Sequence, residues 1–321
     1  MALRLNERWV WDFWLARDGA DHHLFFLQAP RELGDPDLRH RHATIGHAAS
    51  TDLVAWDVLP DALAPGPPGA WDDHATWTGS VLRHGGHWNM LYTGTCREER
   101  GLVQRIGLAT SDDLVHWRKH GANPVLETDP RWYELLNLDA WHDQAWRDPW
   151  LFHDPVTGDV HALITARSAS GPPDGRGVLA HARSSDLVRW EIGPPIVSPG
   201  EFGELEVPQV VSIRSRWHLL FSVGAASHGT LWRRRTGQSP RSAVYNLIGD
   251  APLGPFTGPP GPVAVKGPDE VLYAGKLVEE GNGGWVFLAT RLFGPDGAFV
   301  GELGDPVAVT LDPAGRLVIG A

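Results

Sequence analysis

The sequence has almost no cysteine and no apolar run long enough to cross a membrane. Cys96 is the only cysteine among 321 residues, which excludes an intramolecular disulfide and a metal site built on several thiolates. No stretch reaches the roughly 18 consecutive apolar residues of a membrane helix. Residues 1–10 carry three charges where a secretory signal would need an apolar segment. These absences predict a soluble, cytoplasmic protein.

Basic residues are also scarce. The 28 Lys and Arg stand against 39 Asp and Glu, and the formal net charge of -11 argues against nucleic acid or a membrane surface as a partner. The run Arg233-Arg234-Arg235 is expected to be solvated in a loop over residues 228–242. His22-His23 and the stretch from His40 to His42 lack an accompanying ligand pattern. We therefore expect no metal and no cofactor, and the oligomeric state is not predicted.

Helical periodicity longer than about two turns is missing, whereas turn formers and tryptophan are abundant. The 37 Gly and 26 Pro suit a fold with many turns, and 16 Trp exceed ordinary usage. A segment of the form Ser-x-Asp-Leu-Val-x-Trp occurs three times, ending at Trp56, Trp117 and Trp190. Repeats of all-β units at this spacing indicate the blades of a β-propeller.

The repeated segment also predicts its own local structure. Its Ser and Asp are expected to cap a tight turn, while its Leu and Trp pack between neighbouring sheets. The sequence therefore predicts an all-β protein, a five-bladed β-propeller formed by residues 1–321 as a single domain. The five units run from Trp9 to Trp56, Trp77 to Trp117, Ala140 to Trp190, Glu204 to Phe256, and Val271 to Val318.

The stretch Trp146-Arg147-Asp148-Pro149-Trp150 combines an acid, a guanidinium and two indoles. Indoles offer flat apolar faces on which sugar rings stack. Because an adjacent cation favours the charged form of a carboxyl group, Asp148 is expected to stay ionised near neutral pH. An isolated Arg-Asp-Pro tripeptide is equally typical of an ion pair at the end of a strand.

Two further carboxylates occupy unusual positions in strands. Asp12 lies between Trp11 and Phe13, where a charge is costly unless it is hydrogen-bonded or functional. The alternative is that Asp12 simply points outward from an edge strand. Glu206 shares a strand face with Glu204, just before Pro208 breaks the ladder, and its pKa is expected to be raised, as a general acid requires.

The first, third and fourth units contribute these three acids. Because the innermost strand of every blade lines the axis of a propeller, Asp12, Asp148 and Glu206 could converge there despite their separation along the chain. Such a group suits glycosidic bond chemistry, in which one carboxylate attacks the anomeric carbon and a protonated one donates to the leaving oxygen.

Four motifs resemble a known pair of families. In order and spacing they are similar to the signatures of glycoside hydrolase families 32 and 68, the invertases, fructanases and levansucrases, which share a five-bladed β-propeller. The resemblance implies a retaining mechanism, with Asp12 as nucleophile, Asp148 as transition-state stabiliser and Glu206 as acid/base. The motifs are Trp11-Asp12 followed by Trp14, Trp77-Thr78-Gly79-Ser80, Arg147-Asp148-Pro149 and Glu206-Val207-Pro208. The predicted substrate contacts are Trp11, Trp77, Ser80, Arg147 and Tyr273.

The pattern departs from family 32 around Asp12, where Trp11 precedes and Phe13-Trp14 follow, at Val207 after Glu206, and at two further points. Leu27 stands where that family has a sugar-binding Gln, and the chain ends with the fifth blade, so no C-terminal β-sandwich is expected. We predict a hydrolase or fructosyltransferase that acts on a small carbohydrate substrate, a β-fructofuranoside such as sucrose or a short fructo-oligosaccharide. A related propeller glycosidase of the arabinofuranosidase or xylosidase type, with an inverting mechanism, and a non-catalytic sugar-binding propeller are the alternatives.

Overall fold

The computed structural model describes residues 3–265, 271–281, 283–294 and 297–320, and the chain forms five β-sheets there. In each of the first three sheets, four consecutive strands pair in antiparallel order. Blades 1 to 3 contain β1 (Arg8–Asp18), β2 (Asp21–Pro30), β3 (Thr44–Ser50), β4 (Asp57–Leu63), β5 (Ala75–His84), β6 (His87–Thr95), β7 (Gln104–Ser111), β8 (Arg118–Lys119), β9 (Trp146–His153), β10 (Val160–Arg167), β11 (Gly177–Ser184) and β12 (Glu191–Ile192).

The fourth and fifth sheets complete the ring, which confirms the predicted all-β, five-bladed propeller. The fifth blade differs from the others. A short strand that precedes its innermost strand in the sequence pairs in parallel with the last strand of the chain. Blades 4 and 5 contain β13 (Glu206–Ile213), β14 (Arg216–Val223), β15 (Ala243–Gly249), β16 (Phe256–Pro262), β17 (Ala264–Val265), β18 (Val271–Glu279), β19 (Trp285–Phe293), β20 (Phe299–Leu303), β21 (Val307–Leu311) and β22 (Leu317–Ile319).

Helices are few and short in the described ranges. The predicted loop over residues 228–242 is partly wrong, because α1 (Thr230–Thr236) forms there and ends at Gly237 in the left-handed conformation. Arg235 of this helix pairs with Glu201 instead of facing solvent alone. None of these helices has the length or apolar character that crossing a membrane requires. The 3-10 helices span Arg31–Leu33, Pro36–Arg41, Pro173–Gly175 and Ala225–Ser227.

Each of the first three predicted units ends before the outermost strand of its blade. In each case the tryptophan of the repeat precedes the outermost strand of its blade instead of closing the blade. β8 and β12 are only two residues long, and β4 is largely exposed, so these strands show too little apolar alternation to be recognised.

The turn predicted within the repeat is confirmed. In the third copy, the Ser184 hydroxyl accepts the N–H groups of Asp186 and Leu187, and the Asp186 carboxylate accepts those of Val188 and Arg189. The leucine of each copy is buried and has a positive φ, from 62° to 65°. Its side chain therefore enters the core from a tight turn that the Ser and Asp hold in place.

The innermost strands, β1, β5, β9, β13 and β18, surround the axis and share a local irregularity. Each contains a β-bulge near its N-terminal end, where one extra residue is inserted opposite the partner strand. Four of the bulges contain a residue with positive φ, namely Asp12, Asp148, Val207 and Ala274. Bulges bend a strand and redirect its side chains, and here they do so at one end of the axis.

Candidate active site

A cavity of about 330 Å³ lies at this end of the axis, where the innermost strands begin. It brings together the three acids predicted from the sequence. Its lining consists of Trp11, Asp12, Leu27, His40, Trp77, Thr78, His142, Asp143, Arg147, Asp148, Glu204 and Glu206. Acidic and aromatic side chains therefore share one recess, as the sequence motifs suggested.

Asp12 enters the cavity from the bulge of β1. Trp11 pairs with Leu27 and Phe13 with Phe26, so Asp12 is the extra residue and leaves the alternation of its strand. The Thr78 hydroxyl donates to Asp12 Oδ2 at 3.0 Å from the bulge of β5. Burial, together with the nearby Asp148 charge, raises the pKa of Asp12 to about 6. A carboxylate placed in this way is ionised at neutral pH and points into the recess.

Asp148 lies deeper and is 4% exposed. Its Oδ2 accepts the Thr165 hydroxyl and the Val207 N–H, both at 3.1 Å. The sequence predicts that the adjacent Arg147 keeps Asp148 ionised near neutral pH, and the structure shows a second, opposing influence. Arg147 Nε lies 3.7 Å from Asp148 Oδ2 and favours the charged form, but burial outweighs this effect and raises the pKa of Asp148.

Glu206 begins β13 and sits between a cation and a phenol. Arg147 Nη2 donates to its Oε1 at 2.9 Å, and the Tyr273 hydroxyl donates to its Oε2. Its side chain keeps 24% exposure toward the cavity. Burial among protein groups, with the charges of Glu204 and Asp148, outweighs the effect of Arg147 and raises the pKa of Glu206 to about 7. The raised pKa expected for this residue is confirmed.

Arg147 was predicted as a substrate contact, but its hydrogen bonds are already committed to protein groups. The guanidinium contacts Glu204 at 2.7 Å and Glu206 at 2.9 Å through Nη2, and Gln104 at 3.2 Å through Nη1. Asp143 lies 3.5 Å from Nη1. Although burial opposes its charge, the surrounding carboxylates raise the pKa of Arg147 well above its ordinary value. Arg147 therefore lies between these acids and holds their carboxylates in fixed positions relative to one another.

The remaining predicted contacts fall into two groups. Trp11 and Trp77 line the cavity, and the Trp77 indole N–H donates to the backbone oxygen of His40 at 2.7 Å. Ser80 is 1% exposed and lies outside the cavity, where its hydroxyl accepts the Leu151 N–H at 3.0 Å. The structure does not place this predicted substrate contact in the cavity, because the bulge at Thr78 turns Thr78 instead of Ser80 toward the recess.

Tyr273 is 8% exposed, and its hydroxyl is engaged by Glu206. Tyr273 therefore positions the acid/base candidate and acts on a substrate indirectly, through Glu206. Sequence reasoning did not assign five polar residues of the cavity to the site, namely Thr78, Glu204, His40, His142 and Asp143. Gly79 signals the bulge that presents Thr78, because a Cβ at Gly79 would lie 2.3 Å from the Leu91 oxygen. No sequence pattern singles out His40.

One group of side chains has the composition of a metal site. His142, Asp143 and Glu204 each bring a ligand atom within 4.8 Å of the others. Arg147 contacts both carboxylates of this group and already supplies positive charge there. A cation would be repelled by the guanidinium, so the donor set does not fit a metal ion well.

The order of the pKa values indicates what the site can do. With Asp12 at about 6 and Glu206 at about 7, a state with Asp12 ionised and Glu206 protonated exists between these values. Two carboxyl groups whose environments separate their pKa values divide the roles of nucleophile and acid. The tryptophans beside them supply the apolar faces that sugar rings stack on.

Comparison with known proteins gives the same family as the motifs. Residues 15–249 match the model of the glycosyl hydrolases family 32 N-terminal domain. The insoluble isoenzyme CWINV5 of Arabidopsis thaliana, a β-fructofuranosidase, is 34% identical over 154 residues, which are 46% of this chain and 24% of that protein. This chain spans about a quarter of the length of the first curated relatives that it matches.

Solved structures share the fold. An inulosucrase from Halalkalicoccus jeotgali bound to kestose superposes with a TM-score of 0.77 at 23% identity, covering 98% of this chain and 87% of that one. A β-fructofuranosidase of Bombyx mori gives a TM-score of 0.73 at 20% identity, covering 99% of this chain and 64% of that one. At this identity the agreement establishes the propeller fold alone.

Proposed function

Because this chain belongs to glycoside hydrolase family 32, we propose that it cleaves a small β-fructofuranoside, such as sucrose or a short fructo-oligosaccharide. The observation that carries the proposal is the convergence of Asp12, Asp148 and Glu206 on one cavity, with Asp12 and Glu206 separated in pKa. The fructosyl group is transferred either to water or to another sugar.

The reaction proceeds in two displacements. Asp12 attacks the anomeric carbon of the fructosyl group while Glu206 donates its proton to the leaving oxygen, and a covalent fructosyl-enzyme forms. Glu206 then acts as a base on the incoming hydroxyl, so the second attack restores the configuration of the sugar. Asp148 stays close to the ring hydroxyls and stabilises the positive charge that develops on the sugar in the transition state.

Arg147 and Tyr273 keep the acid/base group in place. Arg147 holds Oε1 of Glu206, and Tyr273 holds Oε2, so the carboxyl group has one orientation before and after proton transfer. Trp11 and Trp77 form apolar walls for the sugar. A cavity of about 330 Å³ has the size for one or two sugar units rather than a long polymer chain.

The test is release of reducing sugar from sucrose, kestose, short fructans, and aryl arabinofuranosides and xylosides. We expect fructose from the first three substrates and at least a thousandfold loss of rate in Glu206→Ala. Ser80→Ala is the matched control, because Ser80 lies outside the cavity and should retain the activity. Turnover of a pentoside alone, or fructose release that survives in Glu206→Ala, would overturn the proposal.

A further inference from the structure

Lys276 is a buried lysine on the propeller axis, and the two displacements above give it no task. It is 3% exposed and follows Tyr273 by three residues on β18. In a regular strand, residues three apart point to opposite faces. Here three residue steps along β18 correspond to two along β19, because Tyr273 pairs with Thr290 and Lys276 with Leu288. The bulge therefore puts Tyr273 and Lys276 on the same face.

Two hydrogen bonds hold the Lys276 ammonium. Its Nζ donates to the backbone oxygens of Val207 and Pro208, both at 2.9 Å. These oxygens belong to the bulge that follows Glu206, where the pairing of β13 with β14 is interrupted until Gln209. Lys276 thus ties blade 5 to the segment that sets the position of the acid/base candidate.

The charged groups that face Lys276 belong to the catalytic cluster. Asp12 on β1 and Asp148 on β9 both favour its charged form, whereas burial lowers its pKa to about 7. From β13 it meets only the two backbone oxygens, and the Trp150 ring lies 5.3 Å from its Nζ. Among the described residues no carboxylate lies within ion-pair distance of Lys276, so it acts on the acids through space.

The cluster needs a second cation besides Arg147. Two carboxylates close together resist ionising at the same time, yet the reaction needs both Asp12 and Asp148 in the charged form. Arg147 is shared among several carboxylates and lowers the pKa of Asp12 less than Arg39 and Lys276 do. Arg39 and Lys276 are the cations that do. Arg39 donates to the Pro36 oxygen and lies 3.5 Å from the Asp37 carboxylate, outside the cluster, whereas Lys276 donates to two backbone oxygens.

We propose that Lys276 is a positioning residue for the reaction: its ammonium is the countercharge that lets Asp12 ionise beside Asp148, and its hydrogen bonds fix the bulge that carries Glu206. This inference rests on the proposed function, since it assigns Lys276 a task in the same site. Lys276 does not touch the sugar and acts through the carboxyl groups that do.

Three variants separate the charge from the hydrogen bonds. Lys276→Gln keeps a donor and loses the charge, Lys276→Met loses both, and Lys276→Arg keeps both. The arginine can be accommodated because Lys276 also borders a second cavity of about 250 Å³ on the far side of the axis. Thermal unfolding of each variant establishes that it folds before its activity is interpreted.

The readout is kcat/KM for fructose release as a function of pH. In Lys276→Gln and Lys276→Met the acid limb should move up by about one pH unit, because an opposite charge shifts a carboxyl pKa by at least that much. The corresponding loss of kcat/KM is about fivefold at pH 6 and approaches tenfold at lower pH. The limb should return toward its original position in Lys276→Arg. A folded Lys276→Gln enzyme with an unmoved acid limb would overturn the proposal.

A measurement without substrate separates this proposal from the proposed function. Carboxyl carbons of aspartate labelled with carbon-13 report the titration of Asp12, whose signal is identified by its loss in Asp12→Asn. An upward shift of this titration in Lys276→Gln supports the role of Lys276 even if the wild-type protein releases no fructose. Fructose release by the wild type, together with an unchanged Asp12 titration, would reject the role of Lys276 alone.

Discussion

Asp12 and Glu206 exchange protons with solvent in adjacent pH ranges, and this determines when the site is competent. Burial raises both pKa values, to about 6 for Asp12 and about 7 for Glu206. The active form needs Asp12 ionised, which requires a pH above the lower value, and Glu206 protonated, which requires a pH below the higher one.

We therefore predict a narrow, bell-shaped dependence of kcat/KM on pH, with a maximum near 6.5. Below about pH 6 the rate falls because Asp12 takes up a proton, and above about pH 7 it falls because Glu206 loses one. Initial rates with a fructoside at low concentration from pH 4.5 to 8.5 measure both limbs. A profile that stays flat from pH 5 to 8 would contradict this assignment of the two acids.

Thr78 and Ser80 lie two residues apart on β5 and provide a matched pair of variants. Thr78 donates a hydrogen bond to Asp12 and lowers the pKa of that carboxyl group. Thr78→Val removes the bond, which is worth about 1.5–3 kcal/mol when one partner is charged. We expect kcat/KM at pH 6 to fall roughly tenfold, with the acid limb displaced to higher pH.

Ser80→Ala should lower the stability of the protein and leave its activity unchanged. Loss of the Ser80 hydroxyl leaves the buried Leu151 N–H without an acceptor, which costs about 1–3 kcal/mol of unfolding free energy. We expect a lower melting temperature and unchanged kcat/KM. If Ser80→Ala raised KM at unchanged stability, Ser80 would be a substrate contact and the position of the β5 bulge would be in error.

At the scale of elements, the bulges of the innermost strands convert ordinary strand ends into a site. Asp12 and Asp148 have φ values of 24° and 55°, in a region that residues other than glycine rarely occupy. Such backbone conformations are costly and persist where the surrounding structure enforces them. In this protein these conformations place two acids at the same end of the axis.

Some of these bulges can be recognised from the sequence, and others cannot. Pro149 and Pro208 cannot donate to a ladder, so each marks the break beside an acid, and Gly79 marks the break beside Thr78. The bulge at Asp12 has no such marker, because Phe13 and Trp14 continue an ordinary apolar strand. From the residues alone, only the cost of a charge among aromatic side chains indicated that Asp12 was exceptional.

Partners distant in the chain could not be predicted for a different reason. Tyr273 was expected to touch substrate, yet it contacts Glu206, which lies 67 residues earlier. Lys276 meets Val207 and Pro208 only because blades 4 and 5 are neighbours in space. Periodicity reports which face a residue occupies, but it does not report which side chain of another strand lies opposite.

The hydrogen bonds of the repeated turn are expected to stabilise the fold. Ser184 Oγ accepts the N–H groups of Asp186 and Leu187 in the third copy of the repeat, at 3.1 and 2.8 Å. Ser184→Ala should lower the unfolding free energy by about 1–3 kcal/mol, because these donors lose their acceptor. Circular dichroism during denaturant unfolding measures the change.

The neighbouring Ser185 is exposed and provides the control for this experiment. Ser185→Ala should leave the unfolding midpoint unchanged. Equal midpoints for Ser184→Ala and Ser185→Ala would show that the repeat is a sequence similarity without a stabilising role.

At the scale of the molecule, the ring closes between the first and last blades by packing side chains. Phe13 and Phe26 of blade 1 form one buried cluster with Leu288 and Leu303 of blade 5. The Leu303 N–H also donates to the Leu3 oxygen at 3.1 Å. Because this cluster joins chain segments almost 300 residues apart, the closure should be essential to the stability of every blade.

Leu288→Ala tests the closure. Truncating a fully buried leucine costs about 2–5 kcal/mol, and we expect the melting temperature to fall by several degrees within a single transition. Val156→Ala, at a residue that is 90% exposed, is the control and should have no effect. Separate melting of blade 5 in Leu288→Ala would contradict a ring that unfolds as one unit.

In the proposed reaction Asp12 attacks the sugar and Glu206 serves as both acid and base, so the configuration at the anomeric carbon is retained. The most direct test supplies methanol as the acceptor together with the proposed fructoside substrate, because a methyl fructofuranoside does not interconvert between anomers in neutral solution. Proton and carbon NMR of the product during turnover identify the anomer. We predict methyl β-D-fructofuranoside, and formation of the α anomer would contradict a retaining mechanism.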